Sequence, residues 1–173
     1  GRDEERHVEE AARSLLALAY EPIEVIFVDD RSSDRTGEIL DGIAKEDPRL
    51  QVVHVKELPP GWLGKNHALD AGARRAMGEF LLFTDADVIM EPTVLARAMR
   101  VMVEDELDHL ASGPDTTMRG VALPAFVGTF LVLFALFTRP WKVRDPRSRA
   151  HIGVGAFNLV RAENYRVGPA PED

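Results

Sequence analysis

Two apolar runs in this 173-residue chain end abruptly on paired carboxylates, and nothing else in the sequence restricts the fold so strongly. In Glu79 to Val88, EFLLFTDADV, residues Phe80 to Thr84 form a continuous run with no polar alternation, the texture of a strand covered on both faces. Asp85 and Asp87 then fall at the strand's carboxyl end, the edge at which open α/β sheets bind ligands. Carboxylates placed there suit a divalent cation that completes its shell with substrate phosphates, so a nucleotide diphosphate with its metal is the first hypothesis. Asp-Ala-Asp taken alone also reads as a solvated turn with an aspartate capping a helix.

The pattern recurs: Ile23 to Val28 is a β-branched run that stops at Asp29 and Asp30. Helical and strand periodicities alternate around these runs. Asp3 to Ala19 sets Val8, Ala12, Leu15, Leu16 and Ala19 on one helical face, closed by Pro22. Ser32, Ser33 and Asp34 offer N-cap oxygens to a helix through Ile39, Leu40 and Ile43. Gln51 to Val55 is a short strand, and Glu57 to Gly64, ELPPGWLG, is a shaped loop. Lys65 to Met77 is helical with Gly78 at C′, Pro92 opens a helix reaching about Glu104, and His109 to Ser112 and Gly153 to Val160 are strands. The alternation predicts one α/β domain with a mainly parallel, Rossmann-like sheet flanked by helices. The chain opens at Gly1 in a polar stretch, with no apolar run before its first helix, so a first strand is expected to be missing and the domain, 1–173, incomplete.

A formal net charge of −8 argues against a general nucleic-acid binder, and the lack of cysteine removes disulfide and thiol chemistry. Residues 1–112 read as the ligand-binding half and 113–173 as a second half of different texture. Val121 to Thr138 carries no charge and is followed by Arg139, Lys142, Arg144, Arg147 and Arg149 with Trp141, which suits anionic headgroups and an interfacial anchor. Pro124 can open a helix but not sit inside one, so the usable length falls short of a bilayer and a shallow or re-entrant membrane contact is expected. The alternative is a helix buried in the core.

Four ordered segments, VDDRSSDRT (Val28 to Thr36), PPGWLGKNHAL (Pro59 to Leu69), GEFLLFTDADV and GVGAFNLVRAENY (Gly153 to Tyr165), resemble the family 2 glycosyltransferases. The likeness is nearest to their membrane-associated bacterial, hopanoid- and carotenoid-linked branch. GRDEE at the start is similar to the family's Ala-Arg-Asn-Glu-Glu, with Asp3 standing where the family has Asn. The resemblance implies a GT-A nucleotide-diphospho-sugar fold and inverting transfer of a sugar, from a UDP-sugar by this reading, to a lipid or polyisoprenoid acceptor at the cytoplasmic face of the membrane.

The resemblance also implies roles. Asp29 and Asp30 sit beneath the nucleoside, one accepting from the base N–H and the other supporting ribose or loop, with helix capping the alternative for Asp29. Lys65, at a helix start where a cation opposes the dipole, would neutralise a diphosphate or a nearby carboxylate. Asp85 would hold the ribose or a metal-bound water, Asp87 would ligate Mg²⁺ or Mn²⁺, and Glu4 would approach the nucleotide, with an exposed helix-start glutamate the alternative. Trp62 and His67 are marked by the resemblance alone; His67 reads otherwise as an ordinary surface residue. No catalytic base is assigned, since Glu172 and Asp173 follow Tyr165 too closely. A haloacid-dehalogenase-type phosphatase, a receiver-type domain and a non-catalytic nucleotide-binding module remain alternatives.

Overall fold

The first helix begins later than its periodicity suggests, because the backbone before it is already committed. In the computed structural model, which describes residues 1–114, 120, 122–139, 153 and 155–166, Asp3 is left-handed with φ 57°. The Glu4 carbonyl accepts from His7 and Val8 N–H, so α1 (Val8–Leu16) starts only there. Its face of Val8, Ala11, Ala12 and Leu15 is buried. The N–H of Glu4 donates to the buried Thr36 hydroxyl, which ties the entry of α1 to that of α2 (Thr36–Glu46). Asp34 accepts from the Thr36 N–H, as the run of cap residues leads one to expect.

Strands β1 (Val25–Asp30) and β2 (Leu50–Val55) pair in parallel, with Val25 opposite Leu50 and Asp29 opposite His54. Helix α3 (Gly64–Arg75) stops before Met77, and Gly78 is no left-handed cap. The amides of Met77 and Gly78 turn instead to one Glu24 oxygen, at 2.6 and 2.9 Å. A Cβ at Gly78 would come within 3.1 Å of the Phe80 carbonyl, so close approach, not handedness, favours glycine there.

Strand β3 (Phe80–Phe83), helix α4 (Val94–Glu104) and strand β4 (His109–Ala111) follow, and α4 starts two residues after Pro92. Strand β5 (Asn158–Arg161) enters between β3 and β4 and runs antiparallel to both, leaving those two parallel to each other. The parallel α/β expectation therefore holds for β1, β2 and the β3/β4 direction, while β5 runs against its neighbours. Short α6 (Ala162–Arg166) closes the described chain.

One apolar core joins Val8 and Leu15 of α1, Phe27 of β1, Leu40 of α2, Met102 of α4 and Leu159 of β5. Met102 has no exposed surface, and its truncation to alanine would cost about 2–5 kcal/mol. Among the described residues β1 pairs only with β2, and β3 only with β5. Between the two sheets lies a cleft of about 960 Å³, lined by Ile23 to Val28 and by Gly78 to Asp87. Gly1 stands at its mouth in parallel register with Asp29: its amine donates to the Val28 carbonyl, and its carbonyl accepts from Asp30 N–H.

Helix α5 (Ala122–Thr138) has 17 residues, about 26 Å at about 1.5 Å each, and includes Pro124 within its first turn. No described helix is long and apolar enough to cross a membrane. The buried-helix alternative does not hold, since Phe126, Phe130 and Phe137 are 72%, 56% and 88% exposed. Trp141, Lys142, Arg144, Arg147 and Arg149 lie outside the described residues, as do Glu172 and Asp173.

Candidate active site

Strand β1 carries its two carboxylates inside its own ladder, and that makes them unlike each other. Asp29 and Asp30 are 8% and 7% exposed, and alternation along the strand sends them to opposite sides. Asp29 Oδ2 meets His54 Nδ1 at 3.0 Å across the parallel register, and Asp29 Oδ1 accepts from Ser32 N–H at 3.3 Å. A Cβ on Gly37 would lie 2.8 Å from Asp29 Oδ2, so that glycine makes room for the carboxylate. Asp30 is forked by Arg31, whose Nε and Nη2 donate to its two oxygens at 2.8 and 3.1 Å. A left-handed Arg31, φ 58°, turns the side chain back on its neighbour. The guanidinium holds the Asp30 carboxyl below the ordinary carboxylate range against the opposing effect of burial.

Lys65, in the first turn of α3, reaches across the mouth of the cleft. Its Nζ donates to Asp85 Oδ1 at 2.6 Å. Asp85 follows β3, its N–H donates to the Gly155 carbonyl, and its side chain packs against Gly155 so closely that a Cβ there would collide with Oδ2. A second glycine, Gly64, plays this part for Asp30, whose Oδ2 would lie 2.7 Å from an added Cβ. Thr84 donates to the Ala156 carbonyl at 2.8 Å, which fixes the turn that presents Asp85 and the exposed Asp87.

Of the six residues selected from sequence, Glu4, Asp30, Lys65, Asp85 and Asp87 all line the cleft. Asp29 is not among the lining residues: its carboxylate faces His54 and accepts from Ser32 N–H in the turn after β1. Asp3, standing for Asn, accepts from the N–H and hydroxyl of Ser33. Trp62 and His67 meet edge to face with centroids 5.4 Å apart. His67 is half-buried, not an ordinary surface residue, and its buried Nδ1 has no hydrogen-bond partner among the described residues. His54, Arg31 and Gly155 carry parts of the site that sequence reasoning passed over; only Arg31, adjacent to Asp30, had a local signal.

The donor set fits a divalent cation that takes further oxygen ligands from outside the protein. Among the described residues no group of three or more His, Cys, Asp or Glu could hold a metal alone. Asp85 and Asp87 offer hard oxygen donors two residues apart, and phosphate oxygens and water would complete the shell.

A family model described as "Glycosyl transferase family 2" matches residues 2–163. The chain is 31% identical over 109 residues to the uncharacterized glycosyltransferase EpsJ of Bacillus subtilis, covering 63% of this chain and 30% of that one. It is 29% identical over 103 residues to the glycosyltransferase GlyG of Streptococcus pneumoniae, covering 60% and 33%. The chain thus spans about a third of the length of these curated relatives. Among solved structures, the mannosyltransferase PcManGT from Pyrobaculum calidifontis, in complex with GDP-Man and Mn²⁺, superposes with a TM-score of 0.70 at 23% identity, over 99% of this chain and 45% of that one. S. aureus TarS in complex with UDP-GlcNAc superposes with a TM-score of 0.55 at 28% identity, over 69% and 34%.

Proposed function

Because this chain belongs to glycosyl transferase family 2, we propose that it binds a nucleotide-diphosphate sugar across the mouth of the cleft and serves transfer of the sugar to an acceptor hydroxyl. One observation carries this reading: Asp30, Lys65, Asp85 and Asp87, which come from three separate strand ends and helix starts, line one opening. The phosphatase and receiver alternatives are not the family that matches.

Asp30, buried and acceptor-only, suits the imide N–H of a uracil, whose donation offsets the carboxylate's desolvation. The TarS likeness, to a protein solved with UDP-GlcNAc, points to the same nucleotide. Glu4 borders the nucleotide from the entry of α1. Lys65 exchanges Asp85 for a phosphate oxygen, and Asp85 and Asp87 take the cation. A divalent cation, Mg²⁺ or Mn²⁺, when bound offsets the negative charge that develops on the diphosphate as the sugar–phosphate bond breaks. Inversion requires a base on the opposite face of the sugar, and no described residue is assigned to it.

The acceptor is read as lipid-linked. Support comes from α5, whose exposed Phe126, Phe130, Leu133 and Phe137 offer an apolar surface, with the basic stretch of the sequence beyond Arg139 next to it. The same reading puts the site of action at the cytoplasmic face of a membrane, as the hopanoid- and carotenoid-linked resemblance implies. Calorimetry of UDP with and without Mn²⁺, on the wild type and on Asp87→Ala, tests the nucleotide and metal reading. Binding is expected only with the cation and is expected to be lost in the variant; binding that survives both EDTA and the substitution overturns the metal role.

A further inference from the structure

His54 bridges two carboxylates from different elements. Its Nδ1 lies 3.0 Å from Asp29 Oδ2 on β1, and its Nε2 lies 3.0 Å from Asp41 Oδ1 on α2. Only an imidazolium can donate to both at once, because a neutral ring presents a bare lone pair to one of them. The two partners differ in freedom. The Asp41 side chain is 50% exposed and can swing away, whereas that of Asp29 is 11% exposed and is further fixed by Ser32 N–H and by Gly37.

We propose that His54 is a positioning residue for the nucleotide site: as an imidazolium it clamps Asp29, and through Asp29 the turn from Asp30 to Ser33 that meets the nucleoside. This rests on the reading of Asp30 as a nucleoside contact. Two consequences follow from the ring's charge. First, the clamp orders the turn before the ligand arrives, so less ordering is left to binding. Second, the five carboxylates of Glu4, Asp29, Asp30, Asp85 and Asp87 outnumber by one the cations set against them, the Gly1 amine, Arg2, Arg31 and Lys65, and a diphosphate adds more negative charge. Losing the imidazolium charge therefore works against the ligand. Among the described residues Asp29 from β1 and Asp41 from α2 are the charged groups that face the ring, and both raise its proton affinity above that of an ordinary histidine, Asp29 the more strongly, with partial burial opposing. By linkage, UDP must raise the proton affinity of His54 by the factor through which protonation raises that of UDP.

The test is UDP affinity by calorimetry from about pH 5.5 to about pH 8.5, with Mg²⁺ throughout, on the wild type, His54→Gln and Asp41→Asn. Glutamine keeps a donor for Asp29 but no titratable charge, so the ligand's own phosphate titration cancels in the ratio of wild-type to His54→Gln affinity. That ratio is expected to fall threefold or more across the range, and Asp41→Asn, which touches no ligand, is expected to move the midpoint of its own fall to lower pH. A flat ratio in a wild type that binds UDP overturns this inference alone, as does an unshifted midpoint in Asp41→Asn. A wild type that binds no UDP at any pH overturns the nucleotide reading and this inference with it.

Discussion

Lys65 Nζ and Asp85 Oδ1 stand 2.6 Å apart, a lysine ammonium seated on the carboxylate proposed to face a metal. The side chains are 64% and 40% exposed, so the pair is screened and contributes little to stability, and its interest is competition. Lys65→Ala is expected to strengthen Mn²⁺ binding a few-fold without nucleotide and to weaken UDP binding with Mn²⁺ present. Paramagnetic titration of Mn²⁺ alone, followed by calorimetry with UDP, reads the two opposite signs. Equal effects of one sign would show that the lysine does not exchange partners.

Gly155→Ala separates function from fold. The added Cβ meets the end of a half-exposed Asp85 side chain, which can move, and Gly155 is not left-handed, so stability should change by only about 0.5 kcal/mol. Displacement of Asp85 should lower metal-dependent UDP affinity about tenfold, roughly 1.4 kcal/mol. Gly42→Ala is the control: beyond the backbone of α2 itself no described atom lies within 4 Å of an added Cβ, so it should raise stability by about 0.5–1 kcal/mol and leave UDP affinity alone. Thermal melts beside calorimetry on both variants decide this.

The Arg31 fork on Asp30 gives an acid-limb signature. Because the folded Asp30 carboxyl lies below its ordinary range, its stabilisation is complete above the unfolded value near about pH 4 and is lost as pH falls through the folded one. Arg31→Gln should therefore lower the melting temperature at neutral pH, with the gap to the wild type closing below about pH 4. A gap that persists unchanged to the acid limit would assign the loss to packing.

Flotation with anionic vesicles checks α5. Phe130 and Phe134 stack with centroids 5.9 Å apart and are 56% and 42% exposed, so Phe130→Asp with Phe134→Asp should leave the fold intact and abolish flotation. Unchanged flotation of a folded double variant removes the membrane reading.

Much of this was legible in the sequence because both organising strands carry local signals. Ile23 to Val28 and Phe80 to Thr84 are strand-type runs that stop at carboxylates, and the amphipathic face of α1 repeats at three and four residues. What stayed hidden depends on distant pairing. Nothing near His54 announces Asp29, since they meet only once β2 pairs with β1 in a particular register. The early stop of α3 likewise needs Glu24, 53 residues before Met77. Strand β5 lies between β3 and β4 and runs against both, a pairing over long sequence separations that alternation, which reports element types and not the sense of a late strand, does not show.

The cleft between β1 and β3 also bears on how fast backbone protons exchange with solvent. The Val25 N–H points to the Arg49 carbonyl beside β2, while the Asp30 N–H points the other way, to Gly1. By alternation the amides of Ile26 and Val28 also face the cleft and those of Phe27 and Asp29 face the ladder. The strand is thus expected to exchange as two interleaved populations, the amides of Ile26 and Val28 fast and those of Val25, Phe27 and Asp29 slow, with Asp30 held back by the Gly1 carbonyl.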